Sequence, residues 1–120
     1  MSFWSRLKFI AGGDTPPTVT IPAGSTSFSI PEYANQFYLT APSTVTIGTI
    51  NANSRILPGR VVYLIGAAST AAITLTNNAG TTTKGQIDAG AADLTVDDQD
   101  VVVLVQVVNG TWLEVSSADN

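Results

Sequence analysis

The 120-residue chain contains no cysteine and no histidine. The first absence excludes disulfides and thiolate metal sites. The second removes the commonest general base and the commonest ligand for zinc, copper or non-haem iron. Charge is scarce as well: Asp, Glu, Lys and Arg make up 12% of residues, against about 25% in an average globular domain. Such a surface is wetted by Ser, Thr, Asn and Gly, or is occupied by partners. Five basic against nine acidic residues leave a net charge of −4, the wrong sign for tracking phosphates, and nucleic-acid binding is not expected. Long apolar runs are missing too. None exceeds five residues, the length of Val101–Val105, far short of the ~20 that cross a bilayer as a helix. The first residues, MSFWSRLKFIAGGD, carry two basic side chains without the apolar stretch of a secretory signal.

What remains is strand chemistry. From residue 18 onward, short Thr/Val/Ile-rich stretches alternate with turn residues, the pattern of a sandwich or barrel. Strands are predicted at 18–21, 27–30, 36–40, 44–50, 60–65, 72–76, 85–87, 93–96, 100–108 and 111–116. Prolines 22, 31, 42 and 58 fall at strand ends, where a missing N–H does not interrupt a ladder. Many short strands in about one hundred residues suit two packed antiparallel sheets. The expected organisation is an arm and linker at 1–17, a β-sandwich at 18–117 and a tail at 118–120. Thr18-Val-Thr-Ile21 recurs as Thr44-Val-Thr-Ile47, which β-branched strand preference alone explains.

The last two strands flank Asn109-Gly110, a strong hairpin signal, because a two-residue turn needs φ > 0 at both positions. A two-residue loop pairs Val107 with Trp112 and Gln106 with Leu113. One face then holds Val101, Val103, Val105, Val107, Trp112 and Glu114. The other holds Val102, Leu104, Gln106, Val108, Thr111, Leu113 and Val115. Both faces of the first strand are apolar, whereas a sheet covering its own core on one side alternates. The leucine face is expected inward. The face of Val101, Val103, Val105, Val107 and Trp112 is expected to meet another subunit or a second sheet.

No catalytic, cofactor or metal site is predicted. Asp93, Asp97, Asp98 and Asp100 concentrate acid. They could ligate calcium, or Asp97 and Asp100 could act as a glycosidase pair. The run lacks the spacing and distal Glu of a calcium loop, and a solvated turn accounts for it. Serines have no histidine to activate them and no Gly-x-Ser-x-Gly elbow. Lys84 sits in a Thr-rich stretch that reads as an exposed loop. Tyr33, Asn35, Gln36, Phe37 and Tyr38 could line a sugar-binding shelf, or Phe37 and Tyr38 could be the two faces of one strand.

Residues 1–13 differ in kind: Phe3, Trp4, Leu7, Phe9 and Ile10 with Arg6 and Lys8, and no acid. Helical spacing groups Phe3, Leu7 and Ile10, and extended spacing groups Phe3, Leu7 and Phe9. The segment reads as an anchor docking on a partner, as a membrane-surface anchor, or as a terminal strand packed on its own domain. Docking on a partner is the reading adopted, so no membrane is expected among the partners.

The succession Pro58-Gly-Arg-Val-Val-Tyr-Leu-Ile-Gly66, Ile73-Thr-Leu-Thr-Asn-Asn78, Gly85-Gln-Ile-Asp-Ala-Gly90, Leu94-Thr-Val96, Asp100–Val108 and Asn109-Gly-Thr-Trp-Leu-Glu114 resembles a β-rich module of tailed-bacteriophage structural proteins. The module occurs in head-decoration (cement) proteins, head fibres and tail-fibre domains, and the resemblance covers residues 55–115. It implies a jelly-roll-like fold, a homotrimer and attachment to the major capsid protein on the virion surface, after synthesis in the host cytoplasm. No small-molecule substrate is implied. The alternative it leaves is a glycan-binding receptor module of a tail fibre or spike.

Overall fold

The computed structural model describes residues 15–52 and 56–119. Among them the Thr/Val/Ile-rich stretches form eleven strands and no helix. These are β1 (Thr18–Thr20), β2 (Ser27–Ser29), β3 (Gln36–Thr40), β4 (Val45–Ile47), β5 (Thr49–Asn51) and β6 (Val61–Gly66). They continue as β7 (Ile73–Leu75), β8 (Ile87–Asp88), β9 (Leu94–Val96), β10 (Val101–Gln106) and β11 (Trp112–Ala118). The predicted strand 44–50 is divided at Gly48, whose N–H donates to the Thr26 carbonyl at 2.9 Å. The chain turns a corner there.

Three sheets result: a large one in the order β1-β3-β6-β10-β11-β8, a three-stranded β4-β7-β9 and a two-stranded β2-β5. Their pairing corrects the antiparallel, jelly-roll-like expectation. β1 runs parallel to β3, β3 to β6, β2 to β5 and β4 to β7. The fold is all-β with mixed sheets, and its first part is a solenoid-like stack. The reason lies in the connections. A hairpin returns the chain beside the strand it has just left, whereas here each short loop carries it across a corner into a different sheet. It re-enters the large sheet in the same direction one strand further on, so Thr18 aligns with Tyr38 and Tyr38 with Ile65. Corners and hairpins use the same residues. At Leu57-Pro58-Gly59-Arg60 the Arg60 N–H donates to the Leu57 carbonyl at 2.9 Å and Gly59 has φ +90°, a turn that needs glycine at its third position.

The recurring Thr-Val-Thr-Ile stretches are not equivalent in space. One is the edge strand β1, and the other supplies β4 in the three-stranded sheet. Each nevertheless sends apolar residues to the same place. Phe37, Leu39, Val62, Leu64, Val102 and Leu104 of the large sheet meet Val45, Ile47, Ile73 and Leu75 of the three-stranded sheet, with Phe28 and Ile50 of the third, in one core.

The stack ends where the chain reverses. β10 lies antiparallel on β6, and β9 lies antiparallel on β7. The closing hairpin is antiparallel as expected, but its register differs from that of a two-residue loop by one position. Gly110 donates to the Val107 carbonyl at 2.8 Å, Val107 donates to that of Thr111 at 3.0 Å, and Gly110 takes φ +86°. This is a three-residue loop ending in a left-handed glycine. Asn109 Oδ1 holds it by accepting from the Thr111 N–H and hydroxyl at 3.3 and 2.7 Å.

A one-residue shift sends every side chain of the second strand to the opposite face. Trp112, placed by the sequence with the outward valines, is instead opposite Gln106 and fully buried, and its Nε1–H donates to the Ile50 carbonyl at 3.1 Å. Leu113 and Val115, expected inward, are exposed. Gln106 is buried beside Trp112. Its Oε1 accepts from the Leu57 N–H at 3.0 Å and its backbone carbonyl from Gly59 at 2.7 Å, which ties the hairpin to the turn that starts β6.

Trp112 therefore joins the reversed hairpin to the stack. Replacing it (Trp112→Phe) removes a buried hydrogen bond and opens a cavity, and should lower stability by about 2–4 kcal/mol in urea denaturation. An unchanged midpoint would show that the indole does not close the core.

Candidate interaction face and acidic corner

Because β10 is buried inward through Val102, Leu104 and Gln106, its alternate residues Val101, Val103 and Val105 lie on the outer face of the large sheet. The ladder sets their neighbours. Val105 stands between Val61 and Leu113, Val103 between Tyr63 and Ser116, and Val101 between Ile65 and Ala118. Across β6, Tyr63 is next to Gln36 and Ile65 next to Tyr38. None of these outward positions is charged. The outward faces of β6 and β10 are thus as β-branched and apolar as their inward faces; Val103 is buried, at 9% exposure, and Val61, Tyr63, Ile65, Val101 and Val105 around it are partly buried. A shift of register between Val103 and Leu104 bulges β11 at this point and leaves Val115 58% exposed.

Of the residues predicted for a subunit interface, Val101, Val103 and Val105 are brought together on this face, and Val107 continues from the end of β10 into the loop. Trp112 is not there. Sequence reasoning missed Val61, Tyr63, Ile65 and Leu113. The signal for the first three was present, since Val61-Val-Tyr-Leu-Ile65 is also apolar at every position. The arm residues Phe3, Trp4, Arg6, Leu7, Lys8, Phe9 and Ile10 lie outside the described residues.

The predicted acid cluster divides. Asp93 accepts from the Asn77 N–H at 2.8 Å and so fastens the loop after β7. Asp98 is exposed. Asp97 and Asp100 converge with Asp119, each offering a carboxylate oxygen within 4.8 Å of the others. Asp119 was not foreseen, because only the pairing of Val101 with Ala118 brings it beside Asp100. Three carboxylates fall short of the six to eight oxygens that calcium takes. Their observed work is in the turn from β9 to β10, where Asp100 is buried and accepts from the Asp97 N–H at 3.1 Å. This turn packs against the end of β6, where a Cβ on Gly66 would sit 1.6 Å from the Asp97 carbonyl oxygen. The close fit explains why β6 ends in glycine.

The aromatic shelf is not assembled. Phe37 is fully buried, and Tyr33 is 80% exposed on a separate loop. Arg60 holds that loop, donating from Nη2 to the Pro31 and Ala34 carbonyls at 2.8 Å each and from Nε to Asn35 Oδ1 at 3.2 Å. Burial lowers the pKa of this guanidinium, against the opposing charge of Glu32. Tyr38 lines a shallow groove with Thr18, Ile65, Gly66 and Gln99. Lys84 is exposed, as its loop setting implied. Among the described residues no helix is long and apolar enough to cross a membrane.

With this geometry in hand, comparison with known proteins adds nothing: no family model, curated protein or solved structure matches the chain.

The Asp97 carboxyl is raised above its ordinary value, first by its hydrogen bond with Asp100, then by desolvation and by the charges of Asp100, Asp119 and Asp98. A raised acid holds its proton to higher pH in the native state than in the unfolded chain. Its contribution to stability therefore falls as pH rises from the ordinary value of 3.8 through the native one. Asp97→Asn should flatten the fall in urea midpoint between acidic and neutral pH. A slope identical to that of the wild type would show that Asp97 is not the group responsible.

Proposed function

We propose that the protein is a structural virion component: a homotrimeric decoration (cement) protein that binds the outside of a phage capsid and stabilises it, without catalysis. The supporting observation is the outer face of the large sheet. Its inward side already contains the core, and a second apolar side is the kind of surface that marks a contact with another protein. The low charge and the resemblance of residues 55–115 to phage decoration modules point the same way.

In this reading the mechanism is mechanical. A trimer bridging adjacent capsid subunits adds buried apolar surface, worth about 25 cal/mol per Å², across joints that internal pressure would open. The N-terminal Phe3, Trp4, Leu7, Phe9 and Ile10, with Arg6 and Lys8, are assigned to the capsid contact. The work is then done on the virion surface, and the major capsid protein is the partner.

A second reading, a glycan-binding module of a tail fibre or spike, is favoured by one observation: Tyr33, 80% exposed on a loop that Arg60 fixes. On a glycan array a decoration protein is blank, and a receptor-binding module gives ligand-specific signal that Tyr33→Ala abolishes.

The direct test is co-sedimentation with undecorated capsids of the encoding phage. Saturable binding is expected for the full chain, with at least a tenfold loss in the double variant Trp4→Ala, Phe9→Ala. Failure of the full chain to bind would refute the decoration reading. Unchanged binding by the variant would remove the arm from the contact.

A further inference from the structure

We infer that the outer face of the large sheet is where three copies of this chain meet, with Val105 turned toward a shared three-fold axis. The inference rests on the homotrimer reading and identifies the surface that makes it.

Four observations point to a second copy of the chain as the occupant. The face carries no charge at its outward ladder positions, while the whole chain carries −4. Copies that otherwise repel can therefore approach through it without desolvating an unpaired ion. Its centre is made of β-branched residues on a twisted sheet, and such a surface packs best on another sheet of the same twist, which a second copy supplies.

Its width also suits a ring of three. The strip runs across β3, β6, β10 and β11, four strands and so about 19 Å at a spacing of about 4.8 Å. Three flat strips of that width closing a triangular prism stand about 5.5 Å from the axis, close to half the ~10 Å separation of packed sheets. The side chains of the three faces would then just fill the space between them. Finally, the amide of Gln36 lies on β3 at the edge of the strip, with Tyr63 between it and the valines. There it can stay hydrated at the rim, as the polar groups of subunit interfaces do.

The test compares three proteins by sedimentation equilibrium at micromolar concentration. The wild type should have three times the chain mass of 12.4 kDa. Val105→Lys should shift to one chain mass while keeping its far-ultraviolet circular dichroism. Thr46→Lys, at the exposed middle position of β4 in another sheet, should remain a trimer. A trimeric Val105→Lys protein would overturn the assignment of the face and leave the trimer standing. A monomeric wild type would overturn the homotrimer reading itself. If Val105→Lys does not fold, Val105→Cys decides the matter, because the chain has no other cysteine. A short bis-maleimide should link most chains into covalent pairs if position 105 faces its copies. A trimer that yields no covalent pairs would place the contact elsewhere.

Discussion

The structure depends on β10, a strand that is apolar on both faces. Inward, Val102 and Leu104 complete a core that the parallel strands enclose but do not close. A parallel stack ends in an exposed coil with unpaired backbone groups, a natural template for further strands. β10 meets that hazard by running antiparallel on β6, and β9 does the same on β7. Trp112 then fixes the closing hairpin to the stack by filling the core and donating to the Ile50 carbonyl, far away in sequence. Outward, β10 has nearly the same chemistry, and that side is the one proposed to meet other copies of the chain. In the proposed trimer, one strand thus links the stability of the chain to its assembly.

Other features serve this closure. The turn from β9 to β10 has to pass the end of β6 at a distance that only Gly66 allows. The same turn holds a buried Asp100 and brings Asp97 and Asp119 up to it. The acidic corner is therefore a product of how the chain reverses, and its mutual repulsion is a cost of that geometry. Gln106 has a related task at the other end of the strand, binding the turn that begins β6 through both its side chain and its backbone. A buried amide satisfied in this way favours one register of the hairpin over its neighbours.

Strand positions were legible in the sequence because β-branched runs and Pro/Gly punctuation mark them locally. Gln36–Thr40 was read to the residue, and the division of 44–50 at Gly48 was the one strand broken in two. Strand direction was not legible. Whether Pro22-Ala-Gly-Ser25 reverses the chain or turns a corner depends on which distant strand receives it, and that is settled by the common core rather than by the turn. The hairpin shows the same limit on a smaller scale. Asn109-Gly110 located the turn, but Val108 joined the loop, and one residue of register moved Trp112 from the outer face to the interior. The apolar character of both faces of β10 survived this error, since it belongs to the strand and not to its pairing. Its extension to Val61, Tyr63 and Ile65 needed the ladder that places β6 beside it. Asp119 likewise became visible only once β11 was aligned with β10.

The central claim is that the outer face of β6 and β10 is covered in the working protein. Hydroxyl-radical footprinting across a dilution series tests it most directly, with the three tyrosines as internal probes. Tyr63, beside Val103 on that face, should be protected at high concentration and become reactive on dilution. Tyr33, 80% exposed on its loop, should react equally throughout. A Tyr63 reactivity that does not change with concentration, at the level its partly buried position in the single chain gives, would contradict the account.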